Sequence, residues 1–182
     1  MRRVAVVGCG ASKRPAAAPA RELYTSTLFK LARAYAETFD GWYIASARYG
    51  FVLPGDVLEP YEYQLEPKQA QQWGQSFANF LVWELTVGGG DGPLFLSREE
   101  LRARTGHTFP LDVEVTILAG ETYAAPIVAG LGMTVGSPCA KARVRAVRQP
   151  LTGLGLGHRL AWLKAATRAR RRMPDMSRRG TW

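Results

Sequence analysis

Apolar and polar positions along this chain fall into blocks that read by turns as strands and helices. Residues 4–7 are a continuous apolar run closed by GCGASK, the pattern of a buried strand that ends in a small-residue loop. Over 23–39, Leu28, Leu31, Ala32 and Tyr35 recur at helical spacing. WYIASA at 42–47 reads as a second buried strand, and the irregular stretch SARYGFVLPGDVLEPYEYQL runs on from its end. Helical spacing returns over 68–85 with Trp73, Phe77, Phe80, Leu81 and Glu84. VGGGDGP then marks a turn, and SREELRAR opens like a capping box, with Ser97 as N-cap and Glu100 three residues on. VEVTILAG at 113–120 is the third strand, followed over 121–133 by a helix that takes Pro126 near its first turn. Leu156, Leu160 and Leu163 predict a last helix that docks by its apolar side. Strands alternating with helices imply an α/β fold of three layers, α/β/α, around a mainly parallel central sheet, with ligands beyond the carboxyl ends of the strands.

Length and composition narrow this to one domain over 1–182: 182 residues at 47% hydrophobic suffice for one well-buried core and not for two ordinary domains. No run approaches eighteen apolar residues, and the opening MRRVAVVGCGASK meets Gly and Lys before any cleavage-like site, so a cytoplasmic protein is expected, with no membrane partner. Cys9 and Cys139 lie far apart without a CxxC partner, which predicts free thiols and neither a metal site nor a disulfide framework. His107 and His158, in polar surroundings, are assigned no catalytic role.

Charge changes the picture. The formal net charge is +9, yet residues 1–140 hold twelve Lys/Arg against fourteen Asp/Glu, whereas residues 141–182 hold twelve against Asp175 alone. Segregated arginine suits a polyanion, because each phosphate neutralised releases counterions and the guanidinium fork matches phosphate oxygens. Nucleic acid is therefore the expected partner, with a solvated face or a solubility device as the competing readings, and Arg143, Arg145, Arg148, Arg159, Lys164, Arg168, Arg171 and Arg172 are the cations that would meet it. A monomer is expected.

The three predicted strands each deliver a loop to the same sheet edge: GCGASK, SARYGFVLPGDVLEPY and GETY. Together these loops carry Lys13, the acids Asp56, Glu59 and Glu121, and Tyr49, Tyr61 and Tyr123. A pocket that stacks a flat ring and brings a carboxylate to it would need this set. Ordinary roles compete: Asp56 after Gly55 also suits a turn, and Tyr61 after Pro60 also suits an extended loop. GCGASK lacks the third Gly of the dinucleotide fingerprint and the GK-Ser/Thr of a P-loop, so neither NAD nor ATP is expected, and no cofactor is assigned. The amides of Gly8, Gly10 and Ala11 with Lys13 suit one phosphate or a sugar hydroxyl. Cys9, with no His in its motif, reads as a small filler rather than a nucleophile.

These residues carry a resemblance. SARYGFVLPGDVLEPYEYQL, which contains Ser46, Tyr49, Asp56 and Tyr61, resembles the SGLYGxLRPxDxxxPYRLEM stretch of the peroxide-stress YaaA family. Cys9 and Lys13 in CxxxK, followed by Leu23, Tyr24, Ser26 and Phe29 in LYxSxxF, are similar to small bacterial and phage relatives and to the CxxxKPYxxSxxH motif of archaeosine synthase domains. Arg14 and Pro15 replace the adjoining Pro-Tyr, and Phe29 stands where the His would be, which counts against the archaeosine chemistry of lysine addition to a nitrile. GETY and PLTGLGLGHRLAWL match later blocks of the small relatives.

The resemblance implies a fold of the uracil-DNA glycosylase kind and work on DNA or modified bases. It suggests a DNA glycosylase related to anti-phage enzymes that excise glucosylated hydroxymethylcytosine. Such an enzyme extrudes a nucleotide, stacks the freed ring and grips the flanking phosphates. It also needs a carboxylate at the oxocarbenium-like sugar and a donor to the departing base. Asp56, which matches the Asp of the YaaA block, is the first expected carboxylate, Glu121 the second and Glu59 the third. Lys13, Tyr24 or Ser26 would supply the donor. A DNA-binding stress protein without catalysis and an enzyme of base biosynthesis or nucleotide processing are the alternatives.

Overall fold

The structure is a computed structural model and describes residues 1–87, 111–135 and 142–172. Its centre is a five-stranded sheet. Four strands are parallel: β3 (Gly41–Ser46), β1 (Arg2–Gly8), β6 (Leu111–Leu118) and β7 (Ala142–Arg148), in that spatial order. A short β4 (Gly50–Val52) turns back antiparallel on β3 and closes that side. The apolar runs at 4–7, 42–47 and 113–118 become strands buried on both faces, because helices cover the sheet from either side.

Strand β1 shows the division of the core. Val4 and Val6 face one layer with Phe77, Leu81, Ile127 and Leu131, from helices α3 (Pro67–Val87) and α4 (Glu121–Val135). Ala5 and Val7 face the other layer with Phe29, Ala32 and Leu163, from α2 (Thr27–Ala36) and α5 (Leu156–Arg172). The expected mainly parallel α/β arrangement of three layers is thus the arrangement found.

Several local features depart from the sequence reading. The helix expected over 23–39 is split. A four-residue α1 (Ala20–Leu23) ends, Tyr24 pairs with Lys13 in an isolated antiparallel bridge, and Ser26 caps α2 by accepting the Phe29 amide at 3.2 Å. Within the irregular stretch, β5 (Val57–Leu58) pairs with β2 (Ala18–Pro19) as a separate two-stranded ladder. The segment expected only to be basic, 142–148, is the edge strand β7. Its Arg-Val alternation is a period-two signal. The register shifts between Val113 and Glu114, which leaves Arg145 as the extra residue of a bulge. Pro126 lies well inside α4.

Of the three leucines expected to dock the last helix, Leu163 is buried and Leu160 half-buried, whereas Leu156 is 63% exposed; Thr167 is buried beside Leu163, and Trp162 meets Tyr35 edge-on at 5.3 Å. Layer α3/α4 closes on glycine. A Cβ on Gly74 would strike the Pro126 backbone, and one on Gly130 would strike that of Gly74, so both helices need a bare backbone to cross this closely. The predicted cap at Ser97 and Glu100, Cys139, His107 and the last ten residues lie outside the described residues.

Candidate functional site

The order β3-β1-β6 places a switch of direction at β1: the chain first adds β3 on one side, then crosses to β6 on the other. Loops leaving β1 and β6 therefore diverge at their carboxyl ends, the place where open α/β sheets form a ligand crevice. A crevice of about 140 Å³ lies there, between Gly8–Gly10 and Ala119–Tyr123, with Ser26 at the start of α2 and Arg159 of α5 as further walls. Two glycines make the approach possible: a Cβ on Gly8 would lie 2.8 Å from that of Ala119, and one on Gly10 would lie 2.9 Å from Ser26 Oγ.

Beside the crevice stands a cluster of phenols. Tyr24 and Tyr61, both buried, have their hydroxyls 3.0 Å apart, and the Tyr61 hydroxyl lies 2.7 Å from Ser46 Oγ. Ser46 Oγ in turn accepts the Tyr49 amide at 3.1 Å, while Trp73 Nε1 donates to the Ser46 carbonyl at 3.1 Å. Burial pushes the Tyr24 and Tyr61 phenols above their ordinary value, so both stay neutral donors through the physiological range. Tyr123 is raised for the same first reason, with the Cys9 thiol adding to it. That thiol donates to the Tyr123 hydroxyl at 3.4 Å.

Tyr123 also meets Trp73 edge-on, with centroids 5.5 Å apart. On the far side of this pair opens a second recess, a groove of about 450 Å³ between the β3–β4 turn and α3. Its walls include Trp73, Tyr49, Phe51, Tyr63 and Phe80, and the last is 57% exposed. Flat rings and partial exposure are what a stacking surface for a planar ligand requires. Volumes of roughly 300–1,000 Å³ are usual for small-molecule sites, so the groove has the size of a whole ligand and the crevice that of a fragment.

The expected site residues divide into three groups. Cys9, Tyr24, Ser26, Ser46, Tyr49, Tyr61 and Tyr123 come together around the two recesses. Lys13 is adjacent but turned: its ammonium lies 4.3 Å from the centre of the Tyr61 ring and donates to the Ala11 carbonyl at 3.1 Å, away from the crevice wall. The acids are dispersed. Asp56 accepts the Leu53 amide at 2.8 Å, and its own carbonyl accepts the Ala20 amide, which is the work of an ordinary turn. Glu59 is exposed just beyond β5. Glu121 is exposed in the first turn of α4, between residues that line the crevice.

Among the expected DNA-contacting cations, Arg145 grips Asp112 through two bonds of 2.9 and 3.1 Å, and Arg148 reaches Glu114 at 2.6 Å. The bond from Arg145 also holds the Asp112 carboxyl below its usual range. Arg159 is drawn into the crevice wall. Arg143, Lys164, Arg168, Arg171 and Arg172 remain exposed, and no carboxylate of the described residues pairs with them. Sequence reasoning missed two positions, Trp73 on the groove wall and Arg170 in the packing of α5. Trp73 carried only a helix-face signal, and Arg170, which packs 4.0 Å from the centre of the Phe39 ring, was one arginine in a run.

Fold and site together define an open α/β protein with a small crevice at the sheet's switch point and an aromatic groove beside it. Residues 4–89 match the model of a family described as a family of unknown function (DUF6884). Over 140 residues, 72% of this chain and 79% of the relative, the sequence is 28% identical to an uncharacterized protein, YfjM, of Bacillus subtilis (strain 168). No solved structure matches. The family match takes in the phenol cluster and Trp73, and it stops short of Tyr123 and Arg159. Among the described residues no group of three or more His, Cys, Asp or Glu is placed to hold a metal, and no helix is long and apolar enough to cross a membrane.

Proposed function

We propose that this protein is a DNA glycosylase that draws one modified nucleotide out of the duplex and hydrolyses its N-glycosidic bond, on a fold of the uracil-DNA glycosylase kind. The observation that carries the reading is the meeting of two recesses at the Trp73–Tyr123 contact: a ligand-sized groove walled by aromatic rings on one side, and on the other a smaller crevice whose mostly apolar wall carries Arg159, Ser26 and Tyr123. A nucleotide joins a planar base to a charged phosphate, and the rings of the groove and the Arg159 guanidinium of the crevice would meet these two parts separately. Extrusion costs a few kcal/mol, which stacking on Trp73 and Tyr49 would offset. The exposed cations of α5 supply grip on the flanking strand; from Arg159 to Arg172 the helix runs about 20 Å.

In the proposed reaction water adds to the sugar C1′ as the bond to the base breaks. The electron pair leaves with the base, which takes up a proton, and the attacking water loses one. We assign Glu121 the role of stabilising the sugar cation or taking that proton; what supports it is its position in the first turn of α4, between the crevice-lining Gly120 and Thr122. Asp56 is reassigned to the turn it closes.

The test is incubation with phage genomes carrying different modified bases, followed by alkaline cleavage and mass spectrometry of released bases. Base release that falls at least a hundredfold in Glu121→Gln supports the reading, on the usual size of general acid–base contributions. Tight duplex binding with every base left in place favours the alternative of a non-catalytic DNA-binding protein, for which the exposed cations of α5 are the specific support.

A further inference from the structure

We infer that the crevice between the β1 and β6 loops is a phosphate subsite whose cation is Arg159 and whose neutral donors are Ser26 and Tyr123. The inference rests on the nucleotide reading of the site and names the part of the ligand that the smaller recess holds.

The argument is one of donors and acceptors. The polar side chains on the crevice wall are Cys9, Ser26, Thr122, Tyr123 and Arg159; none is a carboxylate or a side-chain amide. Two of the hydroxyl oxygens are already used as acceptors from the protein. Ser26 Oγ takes the Phe29 amide hydrogen at 3.2 Å, and the Tyr123 oxygen takes the Cys9 thiol hydrogen at 3.4 Å. Each is therefore left with its own hydrogen to give.

Arg159 adds a fixed positive charge. Its Nε donates to the Leu154 carbonyl at 2.7 Å, which anchors the fork, and Nη1 reaches to 3.7 Å from where a Cβ on Gly120 would stand. No carboxylate of the described residues lies within ion-pair distance of it. A half-buried guanidinium facing a recess whose wall carries the Ser26 and Tyr123 hydroxyls among apolar side chains selects an oxyanion and repels a cation. The recess is too small for a base with its sugar, which leaves a phosphate as the fitting fragment of a nucleotide.

Cys9 provides the readout, since its thiol is part of the wall. Alkylation by iodoacetamide, read by mass spectrometry of the Cys9 peptide so that Cys139 is scored apart, is compared in inorganic phosphate and in chloride at equal ionic strength. Phosphate is expected to slow alkylation and chloride not to. Arg159→Met is expected to raise the phosphate concentration for half-protection about tenfold or more, Arg159→Lys less, and Lys30→Met, at an exposed position of α2, not at all. A nucleoside 5′-monophosphate and a short oligonucleotide without terminal phosphates form two further arms; protection by the first assigns the subsite to a free nucleotide, and by the second to a strand phosphate. Equal rates in phosphate and chloride for the unaltered protein, or full protection in folded Arg159→Met, overturn the inference. Phosphate protection without base release keeps the subsite and removes the glycosylase, whereas base release without protection does the reverse.

Discussion

The hydroxyls of Tyr24 and Tyr61 lie 3.0 Å apart inside the protein, and the Tyr61 hydroxyl lies 2.7 Å from Ser46 Oγ. Deleting the Tyr61 oxygen removes both of these bonds. Tyr61→Phe leaves the ring packing intact and takes a hydrogen-bond partner from Tyr24, a residue 1% exposed. A buried polar group without a partner costs about 1–3 kcal/mol. Urea denaturation of Tyr61→Phe should show a loss in that range. Tyr24→Phe, which leaves the Ser46–Tyr61 bond in place, should lose less.

Alkaline stability follows from the same burial. Tyr24, Tyr43, Tyr61 and Tyr123 all have phenols raised above their ordinary value of 10.0, in each case first by desolvation. A group raised in the folded state keeps its proton there after the unfolded chain has lost it. Its contribution is therefore full below a pH of about 10 and is lost as pH rises through the folded value. Stability should be insensitive to these groups from neutral pH to about 10 and should fall above it, with the tyrosinate absorbance of the four phenols appearing together with unfolding. Their titration in a still-folded protein, followed by circular dichroism, would contradict the burial described.

Gly74→Ala tests the helix crossing that holds Trp73 against Tyr123. Its added methyl would meet the Pro126 backbone, which cannot yield as a flexible side chain can. Overpacking of this kind costs about 1–3 kcal/mol. Chemical denaturation should show it, and the fluorescence of the protein should change because Trp73 is the adjoining residue. Gly132→Ala, with nothing within 4 Å of the added atom, should be neutral or slightly stabilising.

The arginines of α5 separate by role. Arg170 packs over Phe39 and Tyr35 and reaches the Thr38 carbonyl, so Arg170→Ala should lower stability by about 0.5–1 kcal/mol. Arg168→Ala and Arg171→Ala should leave stability within about 0.5 kcal/mol. If they contact DNA phosphates, each should reduce the slope of log affinity against log salt by roughly 0.9. Fluorescence anisotropy with a labelled duplex across a salt series measures both.

Asp56 and Glu121 are distinguished by where they stand. Asp56→Asn retains a side-chain oxygen for the Leu53 amide and should keep both stability and any base release, whereas Asp56→Ala should lose about 0.5–1.5 kcal/mol. Base release that disappears in Asp56→Asn while surviving in Glu121→Gln would return the catalytic role to Asp56.

Three strands, the helices between them and the common edge to which their loops lead were legible because continuous apolar runs and helical spacing are local properties. The phenols and Cys9 were legible as a group for the same reason, since each follows closely on a strand end or lies in a loop that returns to one. Strand β7 carried an alternating signal that its density of arginine masked, and two of its arginines, Arg145 and Arg148, pair with Asp112 and Glu114 of the neighbouring strand.

The sequence by itself determined the layered α/β plan and the edge at which chemistry would collect, since a strand buried on both faces leaves its polar loops nowhere else to go. Only the tertiary structure decided which side chains meet there. Trp73 and Arg159 arrive from helices whose docking depends on partners more than forty residues away in sequence, at Pro126 and at Tyr35. Asp56 is held away by a hydrogen bond within its own turn, a choice between local and distant partners that residue type alone does not make.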